Sequence, residues 1–201
     1  MRIQYFLISA FMFLSCTNST QHKTSSEATL QKDVSNVSAI EQGADSSKWT
    51  DNFLEFKRAV TTGDRNAVKT FIDFPIKNNG NEIWYLADSK LVMEIDPKEI
   101  KPFTESDFDK YFSSIFALDL RKTLEKLNVE ELFKTTKSTS PEMEVVENSK
   151  SKLEANYDKT TNKVTLTLLT TLKELTQFAI TYEFDITTDQ KIKFRQVHVA
   201  G

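Results

Sequence analysis

Apolar residues between positions 49 and 133 recur at the three- and four-residue spacing of amphipathic helices. The first stripe consists of four residues, Trp49, Phe53, Phe56 and Val60. It predicts a helix that ends at Gly63. Asp64 then provides an N-cap for a short second helix, which reaches about Phe71 and cannot continue past Pro75.

A second helical block begins with a capping box, in which Thr104 caps the helix and Asp107 stands three residues later. Its apolar stripe consists of five residues, Phe108, Tyr111, Phe112, Ile115 and Phe116. Leucines at positions 120, 124 and 127 continue the same periodicity, and residues 129–133 add a further turn.

The period changes from helical to alternating near residue 152, and alternation continues to residue 199. The apolar members of the alternating runs are Leu153, Ala155, Tyr157, Val164, Leu166, Leu168, Phe178, Ile180, Tyr182, Phe184, Ile186, Ile192 and Phe194. Turn-forming residues separate the runs. The pattern predicts an antiparallel meander of about four long strands, with one apolar face and one polar face.

Three shorter segments are expected to be extended. Residues 74–76 and 82–86 flank a turn at residues 77–81. Residues 142–147 alternate acidic and apolar side chains and lack the glycine of a calcium loop, which favours an edge strand over a metal site.

The order of elements predicts an α+β fold, in which N-terminal helices pack on a curved antiparallel sheet of about four long C-terminal strands. From Trp49 to Val199 this order resembles the cone-like fold of ketosteroid isomerases, SnoaL-like cyclases and nuclear transport factor two. The resemblance is one of element order and patterning, and a cystatin-like helix-on-sheet topology fits almost as well. That fold is shared by enzymes and binding modules, so it does not assign an activity.

The N-terminus has the layout of an export signal. One positive charge precedes an apolar stretch from Tyr5 to Leu14, which is shorter than the roughly 20 residues that a spanning helix needs. The sequence Phe13-Leu14-Ser15-Cys16 resembles the bacterial lipobox. The resemblance implies that residues 1–15 are removed and that Cys16, the single cysteine, is acylated and anchors the protein to a membrane of the bacterial cell envelope.

The segment after Cys16 is polar and contains no aromatic residue as far as Lys48. It cannot bury enough apolar area to offset the entropy of ordering it, so residues 16–47 are predicted to be the lipidated cysteine and a flexible tether. Residues 48–201 form the predicted single domain. Sequence does not distinguish an inner-membrane from an outer-membrane location.

Composition limits the kinds of partner and cofactor that this domain is expected to bind. A net charge of −3, spread along the chain, argues against a nucleic-acid partner. No cysteine and histidine cluster, glycine-rich phosphate loop or G-x-S-x-G motif occurs in the sequence, so neither a metal nor a cofactor is predicted. The partners expected are the lipid bilayer, through Cys16, and an envelope protein, a glycan or a small ligand.

His198 is the candidate acid–base residue, because it is the single histidine of the predicted domain. Strict alternation from Phe194 turns Gln196 and His198 toward the apolar face, where Tyr182 or Tyr157 would lie near the imidazole. A β-bulge would instead turn Val197 and Val199 inward, leaving His198 in solvent.

Trp84 and Tyr85 are candidate ligand-binding residues, together with an inward Gln196. Adjacent residues of a strand face opposite ways, so one aromatic ring can fill the core while its neighbour contacts a ligand. The ordinary expectation for the tryptophan is core packing.

Two function classes follow. The first is a non-catalytic, membrane-tethered lipoprotein whose domain binds a ligand or a protein. The alternative is an isomerase- or hydrolase-type enzyme with a cone pocket near His198 and Tyr182. A cone filled by phenylalanine side chains would favour the first class, and an open pocket lined by a buried carboxylate would favour the second.

Overall fold

The computed structural model describes residues 47–77, 82–96, 98–172 and 177–201, with side chains described from Trp49 onward. The predicted signal peptide, Cys16 and most of the tether lie outside the described residues. The helices in this part of the chain are α1 (Ser47–Thr62), α2 (Arg65–Lys69), α3 (Glu82–Ala87), α4 (Ser89–Glu94), α5 (Glu105–Ile115), α6 (Leu118–Lys126) and α7 (Val129–Thr135). The strands are β1 (Lys137–Thr139), β2 (Ser149–Asp158), β3 (Lys163–Leu172), β4 (Gln177–Ile186) and β5 (Ile192–Ala200).

The helix boundaries follow the predicted capping residues. Gly63 has a positive φ of 74° just after α1, a conformation that glycine adopts without strain. The Asp64 side chain accepts a hydrogen bond from the backbone N–H of Ala67 and so caps α2. At the start of α5, Thr104 and Asp107 form both hydrogen bonds of a capping box.

The five strands form one open antiparallel sheet in the order β1-β2-β3-β4-β5. The helices pack against one face of this sheet, which confirms the predicted α+β class and its four long strands. The three-residue β1 extends the sheet by one short edge strand that the alternation pattern did not reveal.

A β-bulge interrupts the pairing of β4 with β5. Phe184 pairs with Phe194, but the preceding residue of β4, Glu183, pairs with Gln196, so Arg195 is the extra residue. Val197 therefore faces the core and is buried. The strictly alternating prediction, with Gln196 facing inward, is wrong.

Aromatic rings fill the space between the helices and the sheet. The Phe56 ring centroid lies 4.8 Å from that of Phe184, and Phe116 stacks on Tyr182 at 5.9 Å. Phe112 is 5.5 Å from Phe116 and belongs to the same buried cluster, which extends from Trp49 to Val197. The predicted apolar stripes of α1, α5 and the leucines at positions 120, 124 and 127 all contribute to this core.

Two of the segments expected to be extended have another structure. Residues 82–87 form helix α3, because Ile83, Leu86 and Ala87 have helical spacing and pack against the core. In residues 142–147, the isolated bridge of Met143 to Ser151 replaces the expected edge strand. The segment 74–76 is extended at Ile76, which pairs with Phe103.

No helix among the described residues has both the length and the apolar character needed to cross a membrane.

Candidate functional site

His198 lies on the sheet face opposite the aromatic core. It pairs with Thr181 across β5 and β4, and its side chain is 46% exposed. Its Nδ1 atom is 3.3 Å from a carboxylate oxygen of Glu82 in α3, and its Nε2 atom is 3.5 Å from a carboxylate oxygen of Glu183 in β4. The imidazole thus bridges a helix and the sheet.

The two carboxylates around His198 have further partners. Glu82 also accepts a hydrogen bond of 2.6 Å from the backbone N–H of Val199, which occupies a donor at the sheet edge. Glu183 accepts one of 2.8 Å from the side-chain amide of Gln196, and the Lys163 ammonium lies 3.9 Å from it. Glu82 thus links α3 to β5 through its hydrogen bond to Val199, and the surface contacts of the imidazole add little to that attachment.

Tyr182, the residue proposed to work with His198, lies on the other face of the sheet. Its hydroxyl is buried and donates a hydrogen bond of 2.6 Å to the backbone carbonyl of Ile115. Burial raises the pKa of the Tyr182 phenol far above its ordinary range, and the negative charge of Asp119 adds to the shift. The structure therefore does not bring Tyr182 and His198 together.

Tyr157 is likewise part of the packing. It is half-buried, and its ring centroid lies 4.6 Å from that of Trp49. It lies in β2, and strands β3 and β4 separate β2 from β5, which carries His198.

Trp84 forms a wall of a small, largely apolar pocket. The pocket has a volume of about 320 Å³ and is bounded by α3, α4 and the chain that leads into α5. The lining residues are Trp84, Leu91, Ile95, Glu99, Ile100, Lys101, Pro102, Thr104 and Asp107. A volume of roughly 300–1,000 Å³, apolar walls and few polar groups are typical of ligand-binding pockets.

Trp84, Thr104 and Asp107 already form hydrogen bonds within the pocket wall. The indole Nε1 of Trp84 donates a hydrogen bond of 2.9 Å to the carbonyl oxygen of Lys101. Thr104 and Asp107 pair with each other in the capping box. A ligand would therefore meet a preformed, mainly apolar surface with charged side chains at its rim.

The other two predicted ligand-binding residues lie elsewhere. Tyr85 is 43% exposed and does not line the Trp84 pocket. The Gln196 side chain donates a hydrogen bond to Glu183 on the sheet face opposite the core. The expectation that one ring of the Trp84–Tyr85 pair is buried and the other exposed is met, although the segment is a helix.

A wider hollow of about 510 Å³ lies at one end of the open sheet face. Leu169, Ala179 and Ala200, which are in register on three adjacent strands, line part of it. Its lining is more polar than that of the Trp84 pocket. Apolar enclosure therefore favours the Trp84 pocket as the binding site.

Sequence reasoning missed the other apolar residues that line this pocket with Trp84. Leu91 and Ile95 have the four-residue spacing of a helix, and Asp88 accepts a hydrogen bond from the Leu91 N–H as the N-cap of α4. This local signal could have predicted α4. The pairing of Glu82 with His198 has no local signal, because the two residues are far apart in the sequence.

Among the described residues, no three His, Cys, Asp or Glu side chains are grouped so that they could hold a metal ion. Comparison of the chain with protein-family models, with curated proteins and with solved structures finds no match. The lipobox and the cone-like fold therefore stay predictions from the sequence.

Proposed function

We propose that this protein is a lipid-anchored protein of the bacterial cell envelope whose domain binds a ligand or partner without catalysing a reaction. The Trp84 pocket is the proposed binding site. The proposal rests on which region of the domain is filled by side chains and which region is open. Aromatic side chains occupy the region between helices and sheet, whereas the Trp84 pocket is open.

The positions of the candidate acid–base residues support binding over catalysis. A shared reaction would require Tyr182 and His198 to approach the same substrate atoms. Tyr182 is buried and bonded to Ile115, and His198 is held between Glu82 and Glu183 on the opposite face.

The proposed anchor explains how the domain is presented. Acylation of Cys16 would hold the chain at a membrane, since two or more acyl chains give stable attachment. A tether of about 30 residues has a typical reach of about 30 Å, enough to place the pocket beyond the lipid headgroups.

Binding to the Trp84 pocket can be measured with a neutral apolar dye, N-phenyl-1-naphthylamine, on residues 17–201. The chain contains two tryptophans, so Trp49→Phe leaves Trp84 as the only tryptophan reporter. We expect the dye to quench Trp84 emission in a saturable way. Leu91→Phe, which adds volume inside the pocket, should weaken this binding at least fivefold.

Leu118→Phe is the matched control, because Leu118 is exposed on α6 and does not line the pocket. It should leave dye binding unchanged. Saturable binding that is equally strong in the Leu91→Phe and Leu118→Phe variants would show that the dye binds elsewhere and would refute the pocket assignment.

A further inference from the structure

We infer that the ligand of the Trp84 pocket is a segment of a partner protein in which an apolar side chain is flanked by lysine or arginine. The inference rests on the proposed function, because it takes the Trp84 pocket as the binding site. It specifies the apolar and basic side chains by which the pocket would recognise the partner.

The apolar part of the ligand follows from the pocket wall. Leu91, Ile95 and Ile100 line the pocket together with Trp84, and its volume of about 320 Å³ is large enough for a leucine- or phenylalanine-sized side chain. The indole N–H is already bonded to the Lys101 carbonyl, so the wall offers contact area rather than a free hydrogen-bond donor from the tryptophan. Burying a large apolar side chain there contributes about 1.5–3 kcal/mol.

The basic part of the ligand follows from the charge around the pocket. Residues 94–107 contain five acidic and two basic side chains, a net charge of −3 that equals the net charge of the entire chain. Glu105 forms an ion pair of 3.1 Å with Lys69, which it shares with Asp109. Four acidic residues form no ion pair within the described part of the chain: Glu94, Asp96, Glu99 and Asp107.

Asp107 offers the most direct contact for a cation, because it lines the pocket itself. Its Oδ2 atom accepts hydrogen bonds from the Thr104 backbone N–H at 2.9 Å and from the Thr104 hydroxyl at 2.6 Å. The other oxygen, Oδ1, has no hydrogen bond or ion pair among the described residues. A charge-assisted hydrogen bond from a lysine or arginine of the ligand would use it.

Glu99 is the second carboxylate of the lining, and it is exposed. Lys101 is the single basic residue of the lining, which leaves the lining with a net charge of −1. With Glu94, Asp96 and Lys98 nearby in sequence, the charged side chains at the rim sum to −2, which favours a negative potential there. Such a rim accelerates the encounter with a basic segment and opposes an acidic one.

The test uses three peptides with the same central pair of leucines, flanked by lysines, by serines or by glutamates. Their binding to the full-length lipidated protein in phosphatidylcholine nanodiscs is measured by fluorescence anisotropy, with empty nanodiscs subtracted. At low ionic strength we expect the lysine peptide to bind about tenfold more tightly than the serine peptide, and the glutamate peptide to bind most weakly.

Two sets of variants show whether the acidic residues of the pocket cause the preference for the lysine peptide. Glu99→Gln combined with Asp107→Asn should reduce the preference for the lysine peptide over the serine peptide at least threefold. Asparagine at position 107 keeps an acceptor oxygen for the Thr104 N–H. Glu130→Gln removes one charge from α7, which contributes no residue to the pocket, and should change nothing.

The outcomes separate this inference from the proposed function. If the serine peptide binds and Leu91→Phe weakens it, but the lysine and glutamate peptides bind equally well, the basic ligand is refuted and the pocket is retained. If the lysine peptide alone binds and Leu91→Phe has no effect, it binds to surface charge and the inference is refuted. If no peptide binds, the inference is refuted, and the dye titration of the wild type and Leu91→Phe decides separately whether the pocket is retained.

Discussion

The hydroxyl of Tyr182 in β4 donates a hydrogen bond of 2.6 Å to the backbone carbonyl of Ile115, the last residue of α5. This bond crosses the core and connects the sheet to the end of a helix. Tyr182 is the acid–base candidate on the inner face of the sheet, and its hydroxyl is engaged in this structural hydrogen bond. The aromatic interior therefore acts as packing.

Replacing Tyr182 with phenylalanine should remove about 1–2 kcal/mol from the free energy of unfolding at pH 8, because a buried hydrogen bond is lost and the ring is kept. The exposed Tyr85→Phe is the matched control and should have almost no effect. Denaturant unfolding of the variants measures both values. Equal stability of wild type and Tyr182→Phe would contradict the buried bond.

The stability difference between wild type and Tyr182→Phe is expected to depend on pH. Burial raises the pKa of Tyr182 above its ordinary value of 10.0, so above about pH 10 the unfolded chain loses this proton while the native state keeps it. The native state then binds more protons than the unfolded state, and stability falls as pH rises. The stability gap between wild type and Tyr182→Phe should therefore be full at pH 8 and shrink above about pH 10. A gap that stays constant up to pH 11.5 would contradict this.

Phe112→Ala should cost about 3–5 kcal/mol, because it opens a cavity among the rings of the α5 stripe. Leu118→Ala, at an exposed position of α6, should change the free energy of unfolding by less than about 0.5 kcal/mol. Chemical unfolding followed by circular dichroism compares the two. A loss below about 1 kcal/mol for Phe112→Ala would show that the interior is loosely packed.

His198→Ala should lower the free energy of unfolding by less than about 1 kcal/mol, because its side chain is 46% exposed and polar contacts at the surface contribute little. Glu82 keeps its hydrogen bond to the Val199 N–H in this variant, so α3 stays attached to the sheet edge. Thermal unfolding checks the first point, and amide hydrogen exchange of α3 checks the second. A loss above about 3 kcal/mol would mean that the cluster is central to the fold.

If Cys16 is the proposed anchor, Cys16→Ser should abolish lipidation and leave an uncleaved precursor, because serine lacks the thiol that would be acylated. Metabolic labelling with a fatty-acid analogue, followed by gel electrophoresis, detects both effects. Ser15→Ala, a small-for-small change at the preceding position, is the control that should still be labelled. Label that persists in Cys16→Ser would refute the anchor, and fractionation of the labelled protein identifies its membrane.

The sequence was sufficient for the long elements of the fold. Helices α1 and α5 and the four long strands are each nine or more residues long and contain a recognisable apolar period, and Asp64 and Thr104 mark helix starts. Helices α3 and α4 have six residues each, and short apolar runs do not distinguish a helix from a strand. This is why the segment around Trp84 was predicted to be extended.

The site was less accessible to sequence reasoning. The bulge at Arg195 reverses the faces of Gln196 and His198, and either alternation is compatible with the residues of β5. The Trp84 pocket combines α3, α4 and residues 99–107, whose approach depends on tertiary packing. Trp84 was recognised as a candidate because of its residue type, and its neighbours were not.

The most direct test of the account is methyl NMR of residues 17–201 titrated with N-phenyl-1-naphthylamine. A binding domain with a filled interior should show saturable shifts at the methyl groups of Leu91, Ile95 and Ile100, which line the pocket. The methyl groups of Leu124 and Leu166, buried between helices and sheet, should not shift. Saturable shifts at Leu124 and Leu166, with none at the pocket residues, would place the ligand in an open cone and contradict the account.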